Sequence, residues 1–296
     1  MTVMLFNLQK STSLSEGVGE HLGCQKGEVD QHYFPDGECL ITVKTPCKQQ
    51  RVIIFHQFQN PTREILPLFF LAKTLKELGA TQVGLITPYL PYLRQDAIFA
   101  PGQGVTAKYF GGLVSSFVDW LITVDPHLHR IHELSEVYSI PTQVLQAENV
   151  LADWIIQHIP NPLIIGPDSE SESLANDVAI RCQAPYLVFK KERLGDFTVN
   201  VSGPSVKEWQ KHTPVIVDDI IATGHTQSKV VSLLASYNMA PVICMGVNGL
   251  FCANAKEVLQ NKHISKVITS NSLPHPTNQV DLTQLISQAA KHFIAS

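Results

Sequence analysis

An apolar run, Val215-Ile216-Val217, delivers two adjacent carboxylates, Asp218 and Asp219, and Thr223, Gly224, His225 and Thr226 follow a few residues on. Backbone N–H groups of a small-residue loop that opens a helix, with threonine hydroxyls beside them, cradle a phosphate dianion. The two carboxylates can then accept hydrogen bonds from the vicinal hydroxyls of a sugar carrying that phosphate. Asp and Thr also cap helices without any ligand. Paired acids at the end of a buried strand, ahead of a Thr-Gly-x-Thr turn, favour the sugar phosphate.

Other segments are less specific when read alone. Tyr33–Glu38 places Phe34, Asp36 and Glu38 around a Pro-Asp-Gly turn, which by itself is a hairpin turn. Arg94-Gln95-Asp96 follows a buried strand and aromatic residues and precedes a Gly/Pro loop that leads into a helix. An Arg beside Tyr and Phe can hold a purine and its phosphates by stacking and forked donation. Thr123–Arg130 brings Asp125, His127 and His129 to a strand end. Such a histidine-rich turn is either zinc chemistry or a capped strand end with solvated imidazoles, and no cysteine or carboxylate pair nearby completes a zinc site. Asp168 precedes Ser169, Ser171 and Ser173, any of which can cap a helix. Lys190, Lys191 and Arg193 form a basic run that, taken alone, is a solvated face.

The elements that must position these residues alternate along the chain. Strands are expected at Cys39–Val43, Val52–Phe55, Gln82–Ile86, Leu121–Val124, Leu163–Ile165, Thr198–Val201, Val215–Val217, Val242–Met245 and Lys266–Thr269. Helices are expected near Glu64–Leu78, Thr106–Phe117, Val150–His158, Ser171–Cys182, Gln227–Tyr237, Ala253–Leu259 and Leu282–Ile294. Strands alternating with helices imply βαβ units and a mostly parallel sheet, whose buried strands read as unbroken apolar runs. Ligands of such sheets bind at the carboxyl ends of strands, where the candidate residues lie. The stretches RVIIFHQFQNPTREILPLFFLAKTLKELGATQVGLI and PVIVDDIIATGHTQSKVVSLLASYNMAPVICMGV share one order of strand, polar loop, helix and strand. We therefore expect two copies of one α/β unit, residues 1–147 and 148–296, with the acidic ligand site only in the second.

Composition sets the outer limits. The 296 residues carry 22 Lys and Arg against 26 Asp and Glu, a net charge of −4, which argues against a nucleic-acid-coating protein. Charged residues are 16% of the chain, below the roughly 25% usual for soluble domains, which points to surface covered by another subunit. Cys24, Cys39, Cys47, Cys182, Cys244 and Cys252 form no C-x-x-C pair, so reduced thiols of a cytoplasmic protein are expected. The apolar patch Val3–Phe6 is too short for a signal segment, and no run reaches the roughly 18 apolar residues of a membrane span.

Val215–Thr226 resembles the phosphoribosyl-pyrophosphate-binding loop of the type I phosphoribosyltransferase fold, which ribose-phosphate diphosphokinases share. The segments F-P-D-G-E and R-Q-D, in this order, resemble the ATP-contacting segments of the ribose-phosphate diphosphokinase family, and the similarity runs from Phe34 to the VDLTQLI near the C-terminus. The resemblance implies an α/β fold of two tandem type I phosphoribosyltransferase-like domains, each a mostly parallel sheet flanked by helices. It implies transfer of the β,γ-diphosphoryl group of ATP to the 1-hydroxyl of ribose 5-phosphate, giving 5-phosphoribosyl 1-diphosphate and AMP. Phe34, Asp36, Glu38, Arg94, Gln95 and Asp96 would bind ATP. Thr223, Gly224, His225 and Thr226 would anchor the 5-phosphate, with Asp218 and Asp219 on the ribose hydroxyls. His127 and Asp168 would place Mg²⁺, and Lys191 and Arg193, spaced K-x-R, would stabilise charge moving onto AMP. A dimer-based homo-oligomer, often a hexamer with its ATP site across a dimer interface, is implied as well.

The chain departs from the family at Pro126, where leucine is usual, at Ala222, where Asp or Ser is common, at His225, where Gly is usual, and at Asn248, where His is common. The loop Ala97–Gly104 lacks the charges associated with phosphate-regulated bacterial enzymes. Two alternatives stay open on sequence: a non-catalytic regulatory homologue that binds nucleotide or sugar phosphate, and a nucleobase phosphoribosyltransferase.

Overall fold

A computed structural model describes residues 2–193, 199–202 and 205–295, with only the backbone of 190–193, 199–202 and 295. Contacts divide the chain into two units, Met1–Leu145 with Leu282–Ser296, and Gln146–Asp281. The sequence expectation ends the first domain at 147 and leaves the C-terminal helix with the second. In the structure that helix belongs to the first unit.

The first unit runs β1 (Val3–Asn7), α1 (Ser13–His21), β2 (Gln25–Gly27), β3 (Val29–Tyr33), β4 (Cys39–Val43), β5 (Arg51–Phe55), α2 (Pro61–Glu77), β6 (Gln82–Ile86), α3 (Thr106–Ser115), β7 (Trp120–Val124) and β8 (Thr142–Leu145). The second runs α4 (Glu148–His158), β9 (Pro162–Gly166), α5 (Glu172–Cys182), β10 (Tyr186–Val188), β11 (Lys190–Arg193), β12 (Val199–Ser202), β13 (Thr213–Ile221), α6 (His225–Ser236), β14 (Val242–Gly249), α7 (Ala255–Leu259), β15 (Ile264–Ser270) and β16 (Asn278–Val280). Helix α8 (Thr283–Ala295) then completes the first unit.

Each unit has a six-stranded sheet, ordered β2-β1-β5-β6-β7-β8 and β10-β9-β13-β14-β15-β16. Every pair within both sheets is parallel. An antiparallel hairpin, β3–β4 or β11–β12, stands apart from each sheet. The two orders are the same topology, and the repeat seen in the sequence falls on β5-α2-β6 and β13-α6-β14, which hold equivalent places.

Parallel strands covered on both faces must be apolar throughout, and β7 is buried at all five positions. Pro61 opens α2, where its missing N–H costs nothing. The helix buries Leu68, Leu71, Ala72 and Leu75, spacings that return to one face of a 3.6-residue helix. Glycine at 84 is dictated by packing, since a Cβ there would fall 2.0 Å from the Trp120 indole. On α8, Phe293 stacks on Trp120 with ring centroids 4.7 Å apart, and a Cβ on Gly17 of α1 would fall 2.9 Å from Thr283. All six cysteines are free. Among the described residues no helix is long and apolar enough to cross a membrane.

Candidate active site

In the second unit the chain leaves β9 for β10 on one side, while β13 lies on the other, so the strand order switches between β9 and β13. Open parallel sheets bind ligands at such a switch point, outside the carboxyl ends of the strands. Asp168 follows β9, and Asp218 and Asp219 lie near the carboxyl end of β13. Strand β13 runs on to Ile221, pairing Ile220 with Asn248 and Ile221 with Gly249 of β14, so the two acids belong to the strand rather than to a loop after it.

Asp218 is 9% exposed and Asp219 half-buried. Gln227 donates its Nε2–H to Asp218 Oδ2 at 2.6 Å, and the Asp219 N–H donates to Asp218 Oδ1 at 3.1 Å. Asn248 Nδ2 donates to the Asp219 carbonyl at 3.3 Å. Burial, reinforced by the negative charges of Asp219 and Asp168, holds the Asp218 carboxyl well above the ordinary aspartate value. Asp218, with the charges of Asp219 and Asp168 close enough to act on it, belongs to an oxygen-donor set suited to a hard divalent cation, so the residues present fit magnesium. Asp168 is also the N-cap of the following turn, accepting from the Glu170 N–H at 3.1 Å. Both sequence readings of Asp168, capping and ligand contact, are therefore open to the same side chain.

Helix α6 starts immediately after Gly224, which has φ of +74°. That conformation favours glycine, and a Cβ would also meet Leu259 Cγ at 2.8 Å. The helix has 12 residues, and the N–H groups of its first turn have no partner within the helix. Thr223 and Thr226 are half-buried beside it and His225 is exposed. The expected cradle residues and the acid pair are thus assembled on β13, α6 and the turn between them. The side chains of Lys191 and Arg193 lie outside the described residues; their backbone pairs with Val201 and Val199 in the β11–β12 hairpin.

The first unit holds the other expected residues. Phe34, Asp36 and Glu38 form the tip of the β3–β4 hairpin, closed by the Phe34 N–H to the Glu38 carbonyl at 2.8 Å and by the Glu38 N–H to Asp36 Oδ1 at 3.0 Å. Phe34 is 42% exposed and packs edge-on against His32. Arg94 and Gln95 open on a cleft of about 470 Å³ that they share with Pro61, Thr62, Tyr89, Pro91 and Tyr92. Asp96 is placed differently. Its side chain is 2% exposed and accepts from Arg130 Nη1 at 3.1 Å and from the Arg130 N–H at 3.3 Å. Arg130 in turn lies 5.2 Å over the Phe99 ring. His127 lies after β7, its Nδ1 3.1 Å from His129 Nε2.

The switch point of the first unit, between β1 and β5, is filled by the protein itself. Thr12 Oγ1 donates to Gln57 Oε1 at 2.7 Å. Glu64 accepts from the Gln59 and Asn60 N–H groups at 3.1 and 3.0 Å, from Gln9 Nε2 at 2.9 Å and from His56 Nε2 at 3.2 Å. A carboxylate of the chain takes the N–H groups ahead of α2, while the equivalent turn ahead of α6 carries threonines and a glycine. Sequence reasoning missed Gln227 and Glu64. A polar residue in the first turn of a helix is an ordinary sight, and only the strand order shows what each faces.

Two units of one parallel topology, with acids at the switch point and a turn that opens a helix, define the phosphoribosyltransferase fold class. Residues 135–284 match the family described as the phosphoribosyl transferase domain, and residues 3–116 match the N-terminal domain of ribose phosphate pyrophosphokinase. The chain belongs to the ribose-phosphate pyrophosphokinase family. It is 27% identical to the ribose-phosphate pyrophosphokinase of Methanopyrus kandleri, over 96% of this chain and 97% of that one. It is 29% identical to the enzyme of the same name from Methanobrevibacter smithii, over 97% and 100%. Phosphoribosylpyrophosphate synthetase from Mycobacterium smegmatis has the same fold, with a TM-score of 0.87 at 21% identity over 100% of both chains.

Proposed function

We propose that this protein is a ribose-phosphate diphosphokinase. The 1-hydroxyl oxygen of ribose 5-phosphate attacks the β-phosphorus of ATP, the bond from that phosphorus to the α,β-bridging oxygen breaks, and AMP leaves. The hydroxyl proton is released, and 5-phosphoribosyl 1-diphosphate is formed. The observation that carries this reading is the contrast between the two switch points. One is closed by Glu64, Gln57 and Thr12, while the other presents Asp218 and Asp219 ahead of the Thr223–Thr226 turn.

Phosphoryl transfer depends on positioning and charge neutralisation more than on covalent catalysis. In this reading Thr223, Gly224, His225 and Thr226 bind the 5-phosphate, and Asp218 and Asp219 hold the ribose hydroxyls. Arg94 and Gln95, on a cleft walled by Tyr89 and Tyr92, bind the nucleotide together with Phe34, Asp36 and Glu38. Asp96 contributes by fixing Arg130. Lys191 and Arg193 stabilise charge on the leaving AMP. Asp168, with Asp218 and Asp219, supplies oxygen donors for magnesium, and His127 keeps the metal role that the resemblance gives it. Magnesium held by these residues would supply positive charge against the negative charge that develops on the phosphates during transfer.

Assembly into a dimer-based homo-oligomer and a cytoplasmic location belong to the same proposal. The hairpin that carries Phe34 exposes Tyr33 at 55% and Leu40 at 50%, apolar surface suited to a second copy of the chain. The test is AMP release from ATP and Mg²⁺, with and without ribose 5-phosphate, resolving AMP from ADP. Sugar-dependent AMP is expected. Sugar phosphate binding with no AMP under varied metal and phosphate would overturn the reading in favour of a regulatory homologue.

A further inference from the structure

The loop between β14 and α7 is tied backbone to backbone to the segment that leads into the phosphate turn. The N–H groups of Leu250 and Phe251 both donate to the Ile221 carbonyl, at 2.9 and 3.2 Å, and the Cys252 N–H donates to the Ala222 carbonyl at 2.8 Å. This loop is strained. Phe251 has φ of +44° and Ala253 φ of +52°, a left-handed region that bulky L-residues rarely enter and that persists only where the surroundings enforce it.

The enforcing contact is a stack. The Phe251 ring lies on the His275 imidazole with centroids 4.0 Å apart and planes 24° from parallel. Its edge also covers Gly249, where a Cβ would fall 2.5 Å from the ring. His275 is held in turn: its Nδ1 is 2.8 Å from Thr277 Oγ1 and accepts the Thr277 N–H at 3.3 Å. Thr277 Oγ1 lies 2.8 Å from Thr269 Oγ1, on the buried end of β15. A continuous path therefore runs from a core strand through Thr277, His275 and Phe251 to the carbonyls of Ile221 and Ala222, which immediately precede Thr223. Leu259 of α7 closes the other side of the same turn against Gly224.

We propose that Phe251 and His275 are positioning residues that set the backbone of residues 221–224 for the 5-phosphate of ribose 5-phosphate, an inference that rests on the functional reading above. They act through the peptide groups they hold and carry no part of the nucleotide site. Removing the stack frees the loop to relax out of the left-handed region and takes the two tethered carbonyls with it. Sugar phosphate affinity falls, and nucleotide affinity does not.

The experiment begins with wild-type AMP release in the presence of ribose 5-phosphate. Steady-state constants for both substrates and melting midpoints follow for Phe251→Ala, His275→Ala and His275→Phe. The two alanine variants should raise KM for ribose 5-phosphate about three- to tenfold, the range an aromatic pair supplies, with KM for ATP nearly unchanged. His275→Phe, which restores a ring to the stack, should recover most of the loss. If Phe251→Ala does not fold, the His275 pair of variants decides. Active variants in which KM for ribose 5-phosphate is unchanged, or rises in step with that for ATP, overturn the positioning role and leave the function standing. Absence of AMP release by the wild type removes the functional reading, and this inference with it.

Discussion

Gln227, in the first turn of α6, donates its Nε2–H to Asp218 Oδ2 at 2.6 Å, and both side chains are buried. One hydrogen bond thus couples the strand that presents the acid pair to the helix that opens behind the Thr-Gly-x-Thr turn. The subsites proposed for ribose hydroxyls and for phosphate cannot move independently. Replacing Gln227 by Leu leaves a buried carboxylate without its amide donor, which should cost about 1–3 kcal/mol of stability. Urea unfolding reads that loss, and KM for ribose 5-phosphate should rise with it.

Gly224 is the pivot of the turn. Gly224→Ala forces a Cβ into a +74° φ and against Leu259, a combination expected to cost about 1–3 kcal/mol. The melting midpoint should fall, and KM for ribose 5-phosphate should rise more than KM for ATP. An unchanged midpoint would show that the turn accommodates a side chain by moving.

Glu64 makes stability depend on pH in the first unit. Burial alone would raise its pKa, but hydrogen bonding and attraction to His56, together with the Asn60 and Gln59 N–H groups, hold it below the ordinary glutamate value. A carboxylate with a depressed native pKa contributes stability that is complete above the unfolded value and is lost as pH falls through the native one. Glu64→Gln should therefore cost about 1–2 kcal/mol at neutral pH. Urea unfolding below the ordinary glutamate range should show that difference shrinking toward zero.

The basic run and the acid pair should separate in kinetics. Lys191→Ala should lower kcat at least tenfold with little change in KM for ATP, since its assigned role is confined to the transition state. Equal losses in turnover and nucleotide binding would contradict that role. Asp219→Asn should raise KM for ribose 5-phosphate and leave nucleotide affinity nearly unchanged; unaltered sugar kinetics would remove it from the site.

Elements whose residues are apolar on every face could be read directly. Strands β5, β6 and β7 are runs buried at all or all but one position, and their bounds in the sequence reading fall within one residue of those of the structure, whereas β14, expected to end at Met245, continues buried to Gly249. Strand β3, Val-Asp-Gln-His-Tyr, has no buried residue and shows no periodicity, because its hairpin is set apart from the sheet. Helix α1 is obscured by Gly17 and Gly19, although Thr12 and Ser15 form a complete capping box at its start. Strands β8 and β16 are short edge strands with few buried positions.

The candidate site divides in the same way. Asp218, Asp219 and the turn after them were readable because their spacing is local. Arg130 against Asp96, and Phe251 against His275, join residues 34 and 24 positions apart. No local spacing relates such pairs; they become neighbours only when loops from different strands converge. Asp96 shows the consequence most plainly, since a carboxylate expected to face nucleotide is buried against an arginine of its own unit.

The return of α8 to the first unit bears on how the protein is made. Phe293 stacks on Trp120, Thr283 packs against Gly17, and Arg51 Nη1 donates to the Ile294 carbonyl. Residues 146–281 are therefore an insertion in the middle of the first unit. During synthesis from the N-terminus, the second unit can fold as soon as it emerges from the ribosome. The first must wait, its Trp120 face uncovered, until α8 has emerged as well.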